Sequence, residues 1–274
     1  MLNKFASSYD LSINLAKYTV KEIQKNNNII LGCPSGRTLR KTYKHIGILS
    51  YKTNVDLSNV KIIMMDEYVI LKNKKFQLCN PKLHYSCVGY SHRVIQKLFN
   101  YKKSKKKKLL KSNIFFPKIH APKQYDKLIQ KLGGIDIFFL ASGSSDGHVA
   151  FNNYTSNVNS PTHIIKLSKE TRKDNLKTFS KFQSLKEVPK FGITVGLGTI
   201  HKLSKKVILV LSGKEKRKAA DVILSKKLFY KQWPASIVYK CKKKLIYIDR
   251  DAIVTSIQNK DIESVIGSGR DTDE

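Results

Sequence analysis

Apolar residues in this chain gather in short runs separated by polar segments, and the period at which they recur changes between the two. NIILGC (28–33), VKIIMMDEY (60–68), IDIFFLASG (135–143), THIIKLS (162–168), FGITVGLG (191–198), KVILVLSG (206–213), ASIVYKC (235–241) and KLIYIDRD (244–251) have the length and β-branched content of strands. Between them, apolar positions return every three or four residues at 8–25, 38–48, 82–98, 122–132 and 214–224, which predicts helices. Strands that are apolar throughout are buried on both faces, and intervening helices supply the cover. The pattern therefore predicts an α/β fold, a doubly wound, Rossmann-like and mostly parallel sheet with helices on both faces. No internal repeat is present. We expect a single α/β domain over residues 1–265 and a polar tail over 266–274, where the chain ends in GSGRDTDE.

Composition changes this picture little. A chain of 274 residues with 41% hydrophobic content can bury a sizeable core. Lys and Arg total 52 against 20 Asp and Glu, a net charge of +32, which raises nucleic acid or an anionic membrane as partners. Only seven of those cations are Arg, however, the residue suited to bidentate nucleic-acid contacts, and no known binding motif appears. The expectation is no specific nucleic acid, with the basic run YKKSKKKKLLKSN (101–113) a solvated segment. Cys33, Cys79, Cys87 and Cys241 lack metal-ligand spacing and read as free thiols of a reducing compartment. No run reaches the ~20 apolar residues of a spanning helix, and the start of the chain has no signal-like stretch. No membrane association and a cytoplasmic location are expected, and a homo-oligomer is left open.

Three loops at strand ends carry candidate chemistry. GCPSGRTLRK follows NIIL and opens a helical segment, so Ser35, Gly36, Arg37 and Thr38 present amides, hydroxyls and a cation to an anion such as phosphate. It is not a Walker A loop, because three residues rather than four separate Gly32 from Gly36 and Arg37 stands in place of the lysine. In MMDEY, Asp66 ends an apolar strand, where desolvation turns a carboxylate into a base effective near neutral pH. In SSDGHVAFNN, a glycine between Asp146 and His148 lets the acid orient an imidazole that passes a proton.

GCPSGRT, MMDEY, SSDGHVAFN, VPKFGITVGLGTI and ILVLSGKEK occur in an order and at separations that resemble the glucosamine-6-phosphate deaminase/isomerase family, with its related 6-phosphogluconolactonases, over residues 10–253. MMDEY and DGHVAFN look like the deaminase branch. The resemblance implies a deaminase-like hydrolase/isomerase of a sugar phosphate, glucosamine 6-phosphate or a close analogue, that needs no redox cofactor and no metal. His148, assisted by Asp146, would open the pyranose ring, and Asp66 would move the C2 proton to C1 so that ammonia leaves. Ser35, Gly36, Arg37 and Thr38 would hold the phosphate with Lys216 of SGKEK, and Arg172 or Lys177 of TRKDNLKTF would close over it. Three positions depart from the pattern: Asn153 stands where a glutamate supports the histidine, Arg37 where a second glycine is common, and Lys177 where an arginine is expected. An altered sugar-phosphate isomerase or a sugar-phosphate sensor is the alternative, followed by a lactonase.

Overall fold

The alternation of strand-like and helix-like periods becomes an alternation of elements in the computed structural model, which describes residues 1–253. The chain runs through β1 (Leu2–Phe5), α1 (Ser8–Lys25), β2 (Ile30–Cys33), α2 (Arg40–Lys52), β3 (Lys61–Met64), β4 (Asp66–Lys72) and β5 (Lys75–Leu78). A helical stretch follows, built from α3 (Cys87–Tyr90), a π-helical Ser91–Gln96 and α4 (Lys97–Phe99). Next come β6 (Ile114–Phe115), α5 (Pro122–Lys131), β7 (Ile137–Ala141), β8 (His163–Lys166), α6 (Lys169–Thr178) and β9 (Phe191–Thr194). The described chain closes with α7 (Leu197–Leu203), β10 (Val207–Leu211), α8 (Arg217–Lys226), a 3-10 segment Pro234–Lys240 and β11 (Lys244–Asp249).

Seven strands form one sheet in the order β1-β11-β10-β7-β2-β3-β6, and every pairing in it is parallel. Its strands obey the two-residue period of the pleat. Ile30, Phe138, Leu140, Val207 and Leu209 face one layer of packing, with Ile129 of α5, Ile200 of α7 and Ile223 of α8. Leu31, Ile137, Phe139, Ile208 and Val210 face the other, with Leu15 and Ile23 of α1 and Ile46 of α2. A doubly wound parallel sheet with helices on both faces is thus the architecture.

A second, four-stranded antiparallel sheet, β5-β4-β9-β8, stands beside it. THIIKLS and FGITVGLG supply β8 and β9, so these two runs leave the parallel sheet to which the pattern assigns them. VKIIMMDEY likewise is not one strand. Met64 pairs with Cys33 in the parallel sheet, and two residues later Asp66 pairs with Thr194 in the small one. The intervening Met65 carbonyl accepts from Val195 N at 2.7 Å. ASIVYKC forms the 3-10 segment rather than a strand, since Pro234 starts the turn and the backbone coils beneath the loop after β7. The expected helices appear, with α6 and α7 in addition.

All four cysteines are free and buried. Among the described residues, no helix is long and apolar enough to cross a membrane. The tail expected over 266–274 lies outside the described residues.

Candidate active site

The loops after β2, β3 and β7 meet at the carboxyl ends of the parallel strands, where open α/β sheets place their ligand crevice. They line one cavity of about 220 Å³ together with α6 and the turn before α8. Ser35, Gly36, Arg37 and Thr38, Asp66, His148, Lys177 and Lys216 all contribute to its wall.

The loop after β2 is held from behind by two phenols. Tyr43 Oη donates to Pro34 O at 2.8 Å and Tyr90 Oη to Gly36 O at 2.6 Å. Those bonds occupy the Pro34 and Gly36 carbonyls, and Ser35, Gly36, Arg37 and Thr38 line the cavity, a surface suited to an anion. Lys216 closes the far side. Its ammonium donates to Ser142 O at 2.7 Å and to Ser144 Oγ at 3.1 Å, and its side chain is almost entirely buried. Burial pulls the Lys216 pKa below its ordinary value, opposed by the carboxylates of Glu215 and Asp174 and assisted by Arg37.

Asp66 is the first residue of β4 and is only 6% exposed. Burial pushes its pKa up to about 7; a Cys87 thiol hydrogen bond and His148 work against the rise, and the neighbouring Glu67 adds to it. A carboxyl so placed is a proton acceptor matched to neutral pH. Glu67 points the opposite way and serves the frame. It accepts from Tyr68 N (2.7 Å), Cys79 Sγ (3.2 Å), Ser86 Oγ (2.7 Å), Cys87 N (3.0 Å) and Val88 N (2.8 Å), which ties β4 to the start of α3. Cys87, fixed in this way, also places its sulfur 3.2 Å from Ser35 Oγ, so one thiol reaches both the anion loop and the base.

His148 and Asp146 form the expected pair, with Nδ1 and Oδ1 2.6 Å apart. The other carboxylate oxygen accepts from Ser168 Oγ at 2.7 Å and Thr171 Oγ1 at 3.0 Å, both at the start of α6. Burial would raise the Asp146 pKa, but the hydrogen bond and charge of His148, with the Ser168 hydroxyl, hold it well below the usual carboxylate range. Two glycines make the loop possible. Gly147 has φ +65° and lies against the Trp233 ring, and a Cβ on Gly143 would fall 2.1 Å from His148 Nδ1. Ala150, at φ +52°, holds a left-handed conformation without being glycine, a strained residue in the cavity wall.

Not every expected residue points inward. Arg172 turns its guanidinium away from the cavity and donates to the Leu185 and Val188 carbonyls, so it braces the segment after α6. That tertiary partner is invisible in TRKDNLKTF. Asn153 folds into its own turn, its Oδ1 accepting from Thr155 N at 2.9 Å and Thr155 Oγ1 at 2.6 Å. Conversely, Asp174 lines the cavity and accepts from Ser144 N and Ser145 Oγ, both at 3.1 Å. One ligand atom each of Asp146, His148 and Asp174 lies within 4.8 Å of the others, a donor set a cation could use, although Asp146 and the imidazole are already engaged with each other. Thr171 and Asp174 were missed because α6 is so polar that it has no apolar period to mark it, and Ser168 caps that helix from the end of a strand-like run.

Residues 6–247 match the family model described as glucosamine-6-phosphate isomerases/6-phosphogluconolactonase. A glucosamine-6-phosphate deaminase of Thermoanaerobacter sp. (strain X514) is 30% identical over 260 residues, 94% of this chain and 96% of the relative. One from Clostridium botulinum (strain Eklund 17B / Type B) is 32% identical over 253 residues, 89% and 92% of the two chains. Among solved structures, a monomeric glucosamine-6-phosphate deaminase superposes with a TM-score of 0.79 at 27% identity, covering 92% of this chain and 98% of the other. The 6-phosphogluconolactonase of Trypanosoma brucei, at 15% identity and a TM-score of 0.66 over 92% of this chain and 97% of its own, shares the fold. These names support the deaminase and isomerase descriptions and lend nothing to the label hydrolase.

Proposed function

This chain belongs to the family of glucosamine-6-phosphate isomerases and 6-phosphogluconolactonases, and we propose that it is a glucosamine-6-phosphate deaminase, converting glucosamine 6-phosphate to fructose 6-phosphate and ammonia. The observation that carries the reading is the shared cavity: a buried carboxyl with a pKa near 7, an Asp–His pair and an anion loop all line or adjoin it.

The chemistry divides among these groups. The phosphate rests against Ser35, Gly36, Arg37 and Thr38, with the ammonium of Lys216 opposite and Lys177 of α6 at the mouth. His148, its tautomer and orientation set by Asp146, carries the proton that leaves the C1 hydroxyl and returns one to the ring oxygen as the C1–O5 bond opens. Asp66 then takes the proton from C2 and delivers it to C1. An amine proton passes to O1, which leaves the nitrogen as an imine at C2, and water converts the imine to the ketone as ammonia departs. Asp66 is suited to both halves of the transfer because a pKa near the working pH lets it accept and release the same proton. None of these residues needs a redox group to act.

Incubating the purified chain with glucosamine 6-phosphate and measuring ammonia and fructose 6-phosphate together tests the proposal. Equimolar appearance of both is expected, and loss of both in Asp66→Asn. A parent that hydrolyses 6-phosphogluconolactone and leaves glucosamine 6-phosphate untouched would replace this reading with the lactonase one.

A further inference from the structure

Asp174 has no part in the steps above, yet it stands in the same cavity wall as His148. It comes from α6, and its Oδ2 is held by Ser144 N and Ser145 Oγ, two residues of the loop that bears Asp146 and His148. Asp174, Asp146 and the imidazole each place a polar atom within 4.8 Å of the other two. Asn153, on the same loop as the histidine, offers no charge and spends its side-chain oxygen on Thr155. The second carboxylate beside the imidazole is therefore the one that reaches over from α6.

We infer that Asp174 is a positioning residue for ring opening, a second carboxylate partner that acts through His148; the inference rests on the sugar-phosphate reading above. In ring opening the C1 hydroxyl gives up its proton, its electron pair becomes the C1=O bond, the C1–O5 pair goes to O5, and O5 takes a proton. Nothing is gained or lost overall, but the imidazole is a cation while the proton is in transit. Asp146 alone supplies one negative charge on the Nδ1 side. A second carboxylate a few ångströms away, in a cavity partly closed to water, lowers the energy of that cation further. Its bonds to Ser144 and Ser145 also hold α6 against the catalytic loop, which keeps the two carboxylates on one histidine.

Asp174 also faces the Lys216 ammonium, where it opposes the effect of burial, and so could act as a counter-ion for that lysine instead. The two roles separate by experiment. Asp174→Asn and Asp174→Glu are compared with the parent for interconversion of the α and β anomers of glucosamine 6-phosphate, followed by NMR exchange. Ammonia release, affinity for inorganic phosphate and melting temperature are measured on the same samples. Anomer interconversion needs ring opening alone, so it does not depend on deamination. Asp174→Asn should slow it about tenfold to a hundredfold with phosphate affinity unchanged, and Asp174→Glu should recover most of the rate. An Asn variant that opens the ring at the parent's rate overturns the inference, whether or not it loses phosphate affinity. So do Asn and Glu variants that fail alike and melt early. A parent that interconverts anomers but releases no ammonia overturns the deaminase reading and leaves the Asp174 result standing, and a parent that does neither overturns both.

Discussion

His148 Nδ1 lies 2.6 Å from Asp146 Oδ1, and the opposite oxygen of that carboxylate is held by Ser168, the N-cap of α6, and by Thr171 within that helix. The histidine is thereby oriented by a carboxylate that two different segments of the chain fix in place. Asp146→Asn keeps the shape but can present its amide nitrogen to the ring, which favours the wrong tautomer. We expect a loss of roughly 10²–10⁴-fold in kcat on glucosamine 6-phosphate. An open-chain substrate analogue should recover most of it if the pair serves ring opening, as proposed. Equal losses on both substrates would show that Asp146 does something else.

The raised pKa of Asp66 predicts the acid limb of the pH–rate profile. Activity should rise as the carboxyl ionises, with a midpoint near pH 7, and Asp66→Asn should abolish both solvent-hydrogen exchange at C2 and product formation. The same group acts on stability with a definite sign. Its folded pKa lies above the unfolded one of 3.8, so the folded chain binds the extra proton and loses stability as pH rises from about 4 to 7. Removing the charge removes that loss. Asp66→Asn should therefore be more stable than the parent at pH 8, by an amount on the order of a few kcal/mol, and show less advantage at pH 4. Parallel melting curves for the two proteins across that range would mean that the carboxyl is solvated. Asp146 has the opposite sign: its stabilisation is complete above the ordinary carboxylate range and is lost as pH falls below it.

Lys216→Ala is expected to cost both binding and some stability. Its ammonium is buried and donates to Ser142 O and Ser144 Oγ, so truncation leaves a buried carbonyl short of a donor, at about 1–2 kcal/mol. Calorimetry should show affinity for a phosphorylated sugar falling about tenfold or more while the unphosphorylated sugar is unaffected. Equal effects on the two sugars would remove Lys216 from the phosphate site.

Gly143→Ala tests the closeness of the loop that bears Asp146 and His148. The added methyl would fall 2.1 Å from His148 Nδ1, so either the imidazole or the backbone has to move, and activity should drop severely while the melting temperature changes modestly. Retention of full activity would show that the loop relaxes freely.

The excess of lysine should produce only salt-sensitive, sequence-independent association with DNA, gone near physiological ionic strength. Lys105–Lys107 form a 3-10 turn apart from the cavity, with Lys105 and Lys106 exposed and Lys107 half-buried. Selective binding that survived such salt, and vanished on neutralising residues 105–108, would contradict this.

The parallel sheet was legible because its strands are apolar on both faces, a pattern that few arrangements other than a covered sheet can bury. The small sheet was not. VKIIMMDEY, THIIKLS and FGITVGLG are as apolar as the central strands, and nothing local in them records that the chain changes partners at Met65. ASIVYKC misled for a related reason: β-branched residues at strand-like length can equally pack as a 3-10 segment against the sheet, and Pro234 decides for the turn. In the site, residues on short loops between apolar runs were visible, since the runs point to them. Arg172 and Asp174 share one polar helix, and only the tertiary fold decides that the carboxylate faces the cavity while the guanidinium meets two backbone carbonyls.

The change of sheets at Met65 also bears on when the protein becomes competent during its synthesis. β2 and β3 lie early in the chain and pair with each other in the parallel sheet. Asp66, one step further, has β9 as its strand partner, and β9 is translated much later. Until β9 arrives, Asp66 is left in water with the weak basicity of an ordinary carboxylate. The raised basicity of Asp66 therefore depends on a strand made more than a hundred residues later, and it appears only once the small sheet has closed.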